Sequence, residues 1–174
     1  MNRLPPHRRS GFTLLELMAA TAMMATLMVA VVVLIRSSYA VWQAHESDMQ
    51  VAESAYAALR HIVRNARQAS GVSAISASSD TTGNLSLTMD SGEIWHWQHD
   101  GSGQVLFGID PASPTEPLAF NIDQLTFVGY EADGTTPTTV VEDIHSIKCA
   151  VQITLPAAGG TVRTVSCYAW IRTW

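Results

Sequence analysis

The sequence predicts an α+β protein: a long N-terminal helix, its first half able to span a membrane, packed on an antiparallel β-sheet domain. Three features predict it. From Phe12 to Ile35 the chain is apolar and carries one charged residue, Glu16. No Gly or Pro occurs between Phe12 and Ser70. From Asn84 onward, short runs alternate with period two between Gly, Asp and Pro turn signals. The chain thus divides into a basic head (1–11), a spanning helix (12–35), an amphipathic continuation (36–70) and a β-rich domain (71–174).

The apolar run of roughly 24 residues is about 36 Å long as a helix, enough for a bilayer core of about 30 Å. Glu16 is costly inside it unless paired or at headgroup level, where it would reach water. Beyond the run, Trp42, His45, Met49, Ala52, Tyr56, Leu59, Val63 and Ala66 recur at steps of three and four. They form a stripe that fits either a coiled-coil seam or, better, a helix laid on a sheet. Arg60, Arg64 and Arg67 suit the negative end of the helix dipole and read as a solvated helix end, with Gly71 as the stop.

Residues 71–83, rich in Ser, Ala, Thr and Gly, read as a loop. A three-stranded meander follows, from Asn84 to Met89, Glu93 to Gln98 and Gln104 to Phe107. Trp95 and Trp97 share one face of it and are placed to pack under the helix. Pro111, Pro114 and Pro117 punctuate a connection. Leu118 to Tyr130 then reads as a strand, or a strand with a bend, with Leu125, Phe127 and Gly129 on one side. Asp133-Gly134 to Pro137 is a turn. Trp174 is hard to bury and suits a subunit interface.

The last hairpin is the most specific feature. Ile144 to Leu155 and Thr161 to Trp170 flank Pro156-Ala157-Ala158-Gly159-Gly160. If Leu155 pairs with Thr161, Cys149 falls opposite Cys167. Directly opposed positions bring Cβ atoms to about 4.5–5.5 Å, within modest adjustment of a disulfide. The alternative is a pair of buried thiols.

The chain has 174 residues and a net charge of −5. Three of its ten basic residues (Arg3, Arg8, Arg9) lie in the head, so the remainder is more acidic still. Nucleic acid is therefore not an expected partner. The basic head places the N-terminus in the cytoplasm by the positive-inside rule. No cofactor or metal is expected. His96 and His99 point to opposite faces of a strand, and with Asp100 do not converge on an ion. Glu131, Asp133, Glu142 and Asp143 flank one loop that could hold Ca²⁺ and reads better as solvated. No Gly-x-Ser-x-Gly elbow, phosphate loop or Cys-x-x-Cys pair suggests an enzyme.

Gly11 before Phe12, with Glu16 fifth counted from Phe12, basic residues ahead and a long apolar run behind, resembles the processing site of type IV pilins and type II secretion pseudopilins. An ordinary secretory signal has a shorter apolar segment and a cleavage site after it. The resemblance implies that residues 1–11 are a leader peptide cut after Gly11 by a prepilin peptidase. Phe12 would then be the new, N-methylated terminus. Glu16 would receive the N-terminal amine of a neighbouring subunit during filament assembly.

Within that group, Leu59 to Ala69 resembles the helix end of J-type minor pseudopilins, with W-type minor pilins close behind. Asn65 stands where those families often have an acidic residue, and the Pro that major subunits commonly carry about twenty residues into the mature helix is absent. The expected function is a minor pseudopilin at the tip of a type II secretion pseudopilus, helping to start assembly. Its partners would be other minor and major pseudopilins, prepilin peptidase and inner-membrane lipid. The expected location is a single pass through the inner membrane with the C-terminal domain in the periplasm. A minor pilin of a type IV or DNA-uptake filament is the alternative, and a membrane-tethered enzyme or receptor domain the alternative of another class.

Overall fold

The computed structural model describes residues 12–157 and 159–172. Gly11 and the rest of the basic head, Ala158 in the last turn, and Trp174 lie outside the described residues. The chain divides into two compact units, 1–43 and 44–174.

One helix, α1 (Leu14–Ala66), contributes to both units. In the first unit every described residue is exposed, including Leu17, Met24, Leu27 and Val29, each at least 61% accessible. In the second unit α1 forms one side of a core. Its buried residues are Val51, Ala55, Ala58, Leu59, Ile62, Asn65 and Ala66.

This buried face differs from the predicted stripe. Trp42, Met49 and Tyr56 are 58%, 59% and 50% exposed, and His45 is exposed too. Ala52 and Val63 are half-buried, and only Leu59 and Ala66 of the stripe are fully buried. Side-chain size accounts for the rotation. Ala55 and Ala58 let the helix backbone approach the sheets closely, which Met49 and Tyr56 would prevent.

Two antiparallel sheets complete the second unit. The first contains β1 (Ala69–Ile75), β2 (Asn84–Met89), β3 (Ile94–His99), β4 (Gln104–Ile109) and β5 (Glu116–Phe120), in that spatial order. The second, in order β7-β6-β8-β9, contains β6 (Gln124–Tyr130), β7 (Pro137–Thr138), β8 (Ser146–Leu155) and β9 (Thr161–Trp170). A single 3₁₀ turn, Val141–Asp143, precedes β8.

The helix stops four residues short of the expected Ser70, and the segment read as a loop begins with a strand. β1 has weak strand propensity but pairs along β2, with irregularities between Ala69 and Gly71 and between Val72 and Ala74. Its backbone partners override its composition. The run from Leu118 to Tyr130 is not one strand. Asn121 turns at φ 59°, sending β5 to one sheet and β6 to the other. Leu125, Phe127 and Gly129 do share the buried side of β6.

Both sheets and α1 enclose a shared core containing Leu59, Ile62, Leu85, Leu87, Trp97, Leu125, Phe127 and Val151. Polar contacts fix the helix on it. Ser54 Oγ donates to the Phe120 carbonyl at 3.0 Å and accepts from the Phe120 N–H at 2.8 Å. Asp48 Oδ1 accepts the Ala157 N–H at 2.9 Å. Gly83 stitches the sheets together: its N–H donates to the Leu125 carbonyl at 2.9 Å. A Cβ there would lie 2.7 Å from the same carbonyl oxygen, so only glycine permits the approach.

Candidate functional site

The first unit holds two of the residues singled out by the sequence, Phe12 and Glu16. α1 starts at Leu14 because Thr13 and Glu16 close its end reciprocally. Glu16 Oε2 accepts the Thr13 N–H and the Thr13 hydroxyl, both at 3.0 Å. Thr13 Oγ1 accepts the Glu16 N–H at 3.3 Å. Thr13 is the functional residue that sequence reasoning passed over, although Thr-x-x-Glu before an apolar run is the signature of this cap. Among the described residues no partner occupies Glu16 Oε1. Phe12 lies just outside the helix and is 85% exposed.

The hydroxyls of Thr21 and Thr26 in the apolar run, and of Ser37 just beyond it, are satisfied inside the helix. Thr21 donates to the Met18 carbonyl at 3.0 Å, Thr26 to Met23 at 2.8 Å and Ser37 to Leu34 at 3.0 Å. Such bonds remove the cost of carrying a bare hydroxyl into lipid. Among the described residues, Leu14–Ala66 is the one helix long and apolar enough to cross a membrane.

In the second unit the hairpin register is the expected one. Leu155 opposes Thr161 and Cys149 opposes Cys167. Both cysteines are free thiols in this structure, Cys149 buried and Cys167 half-buried. Burial, with Cys167 alongside, pushes the Cys149 thiol far above its ordinary value.

The histidines and acidic loops are engaged locally. His96 and His99 lie on opposite faces of β3, as the period requires. His96 Nδ1 is 2.8 Å from Ser86 Oγ. His99 is buried; its Nδ1 accepts the Gly101 N–H at 3.1 Å, which leaves Nε2 to donate to the Ile122 carbonyl at 2.8 Å. Asp100 braces the turn by accepting from Ser102 and Gln104, which holds its carboxyl down at about 2. Asp133 accepts from the N–H and hydroxyl groups of Thr135 and Thr136, which keep it well below the usual carboxylate range. Among the described residues no three His, Cys, Asp or Glu side chains are grouped to hold a metal ion.

Trp97, placed under the helix by the sequence, is fully buried and donates from Nε1 to His61 Nδ1 at 3.1 Å. Phe107 meets the His61 ring edge-on, centroids 5.0 Å apart. Burial first, then nearby Arg64, pushes the His61 pKa down, with Glu116 opposing. Arg60, Arg64 and Arg67 are exposed at the end of α1, and with Arg172 they line a surface cavity of about 540 Å³.

Comparison with known proteins gives one result. A family model described as the prokaryotic N-terminal methylation motif matches residues 6–32. No curated protein and no solved structure matches the chain. The match covers the N-terminal segment alone, the stretch that holds Phe12, the Thr13–Glu16 cap and most of the exposed apolar run, and it supports a type IV pilin-like protein, pilin or pseudopilin.

Proposed function

We propose that this chain is a minor pseudopilin that helps start filament assembly at the tip of a type II secretion pseudopilus. The observation that carries the pilin-like part is the start of α1. A methylation motif is joined there to an apolar run, Phe12 to Ile35, whose sole carboxylate, Glu16, stands next to the expected new terminus.

Prepilin peptidase would cut after Gly11 and methylate Phe12. Glu16 then has two uses at once. Its Oε2 caps its own helix, and its Oε1 is free to receive the methylated amine of a neighbouring Phe12. An unpaired amine and an unpaired carboxylate are both expensive in lipid, so joining them between subunits offsets that cost and sets the axial register. The first half of α1 sits in the inner membrane before assembly, with the second unit in the periplasm. The minor-subunit reading is supported by the resemblance of residues 59–69 and by the absence of Pro from the first half of the mature helix.

Intact mass tests the processing: loss of residues 1–11 with gain of one methyl group is expected, and a full-length chain overturns it. Export tests the assignment. Deleting the gene should leave secreted proteins inside the cell, and restoring it should return them to the medium. Unchanged export with a loss of surface filaments would replace the secretion reading with a minor pilin. Glu16→Val should abolish assembly while leaving the second unit folded; normal assembly by that variant refutes the role given to Glu16.

A further inference from the structure

The two sheets end in four edge strands, and three of them are guarded. β1 slips register twice along β2. β5 is five residues long and contains Pro117. β7 is two residues long and begins at Pro137. Bulges, prolines and short strands are the ordinary devices that stop a sheet from pairing further. β9 has none of them. It runs for ten residues in unbroken register with β8 and carries one charge, Arg163. Among the described residues no strand lies on its other side.

The hairpin register decides which groups are open. The Ile171 N–H donates to the His145 carbonyl at 3.0 Å. Odd-numbered residues of β9 therefore bond to β8. Val162, Thr164, Ser166, Tyr168 and Trp170 turn their backbone N–H and carbonyl groups to the open edge. Their side chains are exposed on the outer face, Val162, Tyr168 and Trp170 by more than half.

On the inner side, α1 and Cys167 of β9 border the 540 Å³ cavity. Leu59, Val63 and Cys167 give it an apolar floor. Arg60 and Arg64 of α1, Arg67 just beyond it and Arg172 just beyond β9 surround that floor. Outside the basic head the chain has seven Lys and Arg (ten less Arg3, Arg8 and Arg9), and four of them line this cavity. Among the described residues none of these four arginines forms an ion pair.

We propose that an extended acidic segment of a different protein adds to β9 as a fifth strand of this sheet. Main-chain bonds to the even-numbered residues hold it, and its alternate side chains select it. Its inward side chains are carboxylates that reach the arginines over the apolar floor. Its outward side chains are β-branched or aromatic and lie beside Val162, Tyr168 and Trp170. A second copy of this chain does not fit. β9 laid beside β9 would bring two arginine walls to one seam. That the strand belongs to another subunit of the filament tip rests on the minor-subunit reading.

The probe is a ten-residue peptide of alternating Glu and Val, added to the full-length chain in detergent. A Lys–Val peptide of the same pattern and a peptide of five Glu followed by five Val are the comparisons. At ten times the half-saturating concentration, exchange of the Thr164, Ser166 and Tyr168 amide hydrogens should slow about tenfold. Ser166→Pro removes one edge donor and no bond to β8, so binding should weaken about tenfold with the unfolding midpoint little changed. Arg60→Glu with Arg64→Glu should lose the Glu–Val peptide and take up the Lys–Val peptide, a reversal that no folding defect produces. No binding, equal binding of either comparison peptide by the unsubstituted chain, unslowed edge amides, or no reversal each overturns the proposal. These arms need neither membrane nor filament, so they fail with this proposal alone. An uncut, unmethylated chain in cells would instead be the failure of the pilin-like reading.

Discussion

The two units treat apolar side chains in opposite ways. In the first, Leu17, Met24, Leu27 and Val29 stand exposed on a lone helix. In the second, Leu59, Trp97, Leu125 and Phe127 are almost wholly buried. The same helix serves both, so hydrophobicity alone does not tell which residues hold this fold together. Among the described residues the first set has no partner, so it is available to lipid or to neighbouring helices; the second set is the fold.

The largest expected effect tests that contrast directly. Phe127→Ala should cost about 3–5 kcal/mol by chemical unfolding of the full chain in detergent, since it empties the middle of the core. Leu27→Ala in the first unit should change the same midpoint by less than about 0.5 kcal/mol. Equal losses would mean that the first unit packs on something in this chain, and the contrast would fail.

A disulfide between Cys149 and Cys167 is the next largest effect. Under oxidising conditions it should form, lower the non-reduced mass by two hydrogens, and add about 3 kcal/mol through a loop of about 18 residues. Two alkylatable thiols in protein recovered from the oxidising compartment would rule it out. Gly83→Ala should cost about 1–3 kcal/mol, because the added methyl meets the Leu125 carbonyl where the sheets join. Alanine at Gly71, where a Cβ meets nothing within 4 Å, is the control.

The smallest effect concerns pH. The His61 pKa is lowered in the folded protein, chiefly by burial, so folding disfavours the imidazolium. Protonation would also remove the acceptor at Nδ1 that meets Trp97 Nε1. Stability from this site is therefore complete above the unfolded value of about 6.5 and falls as pH drops through it toward the folded pKa. His61→Gln should flatten the fall in Tm between about pH 7 and 5. An unchanged slope would place the acid sensitivity elsewhere.

Much of this was legible in the chain. The Cys149–Cys167 opposition followed from the hairpin alone, because one turn pairing fixes the register of every residue beyond it. The long apolar helix and the methylation motif were legible because composition and order define them. The buried face of α1 was not. The large residues Trp42, Met49 and Tyr56 recur along a heptad, while packing selects the small Ala55 and Ala58 on the adjacent side of the helix. β1 was hidden because its Ser, Ala and Gly residues become a strand only when β2 offers its edge.

The hydroxyls of Thr21, Thr26 and Ser37 spend their protons on carbonyls of their own helix. Such a helix carries its solvation with it. Moved from hydrocarbon tails to the flank of another helix, it breaks none of these bonds. A segment built this way can exchange one apolar environment for another at little cost from its hydroxyls.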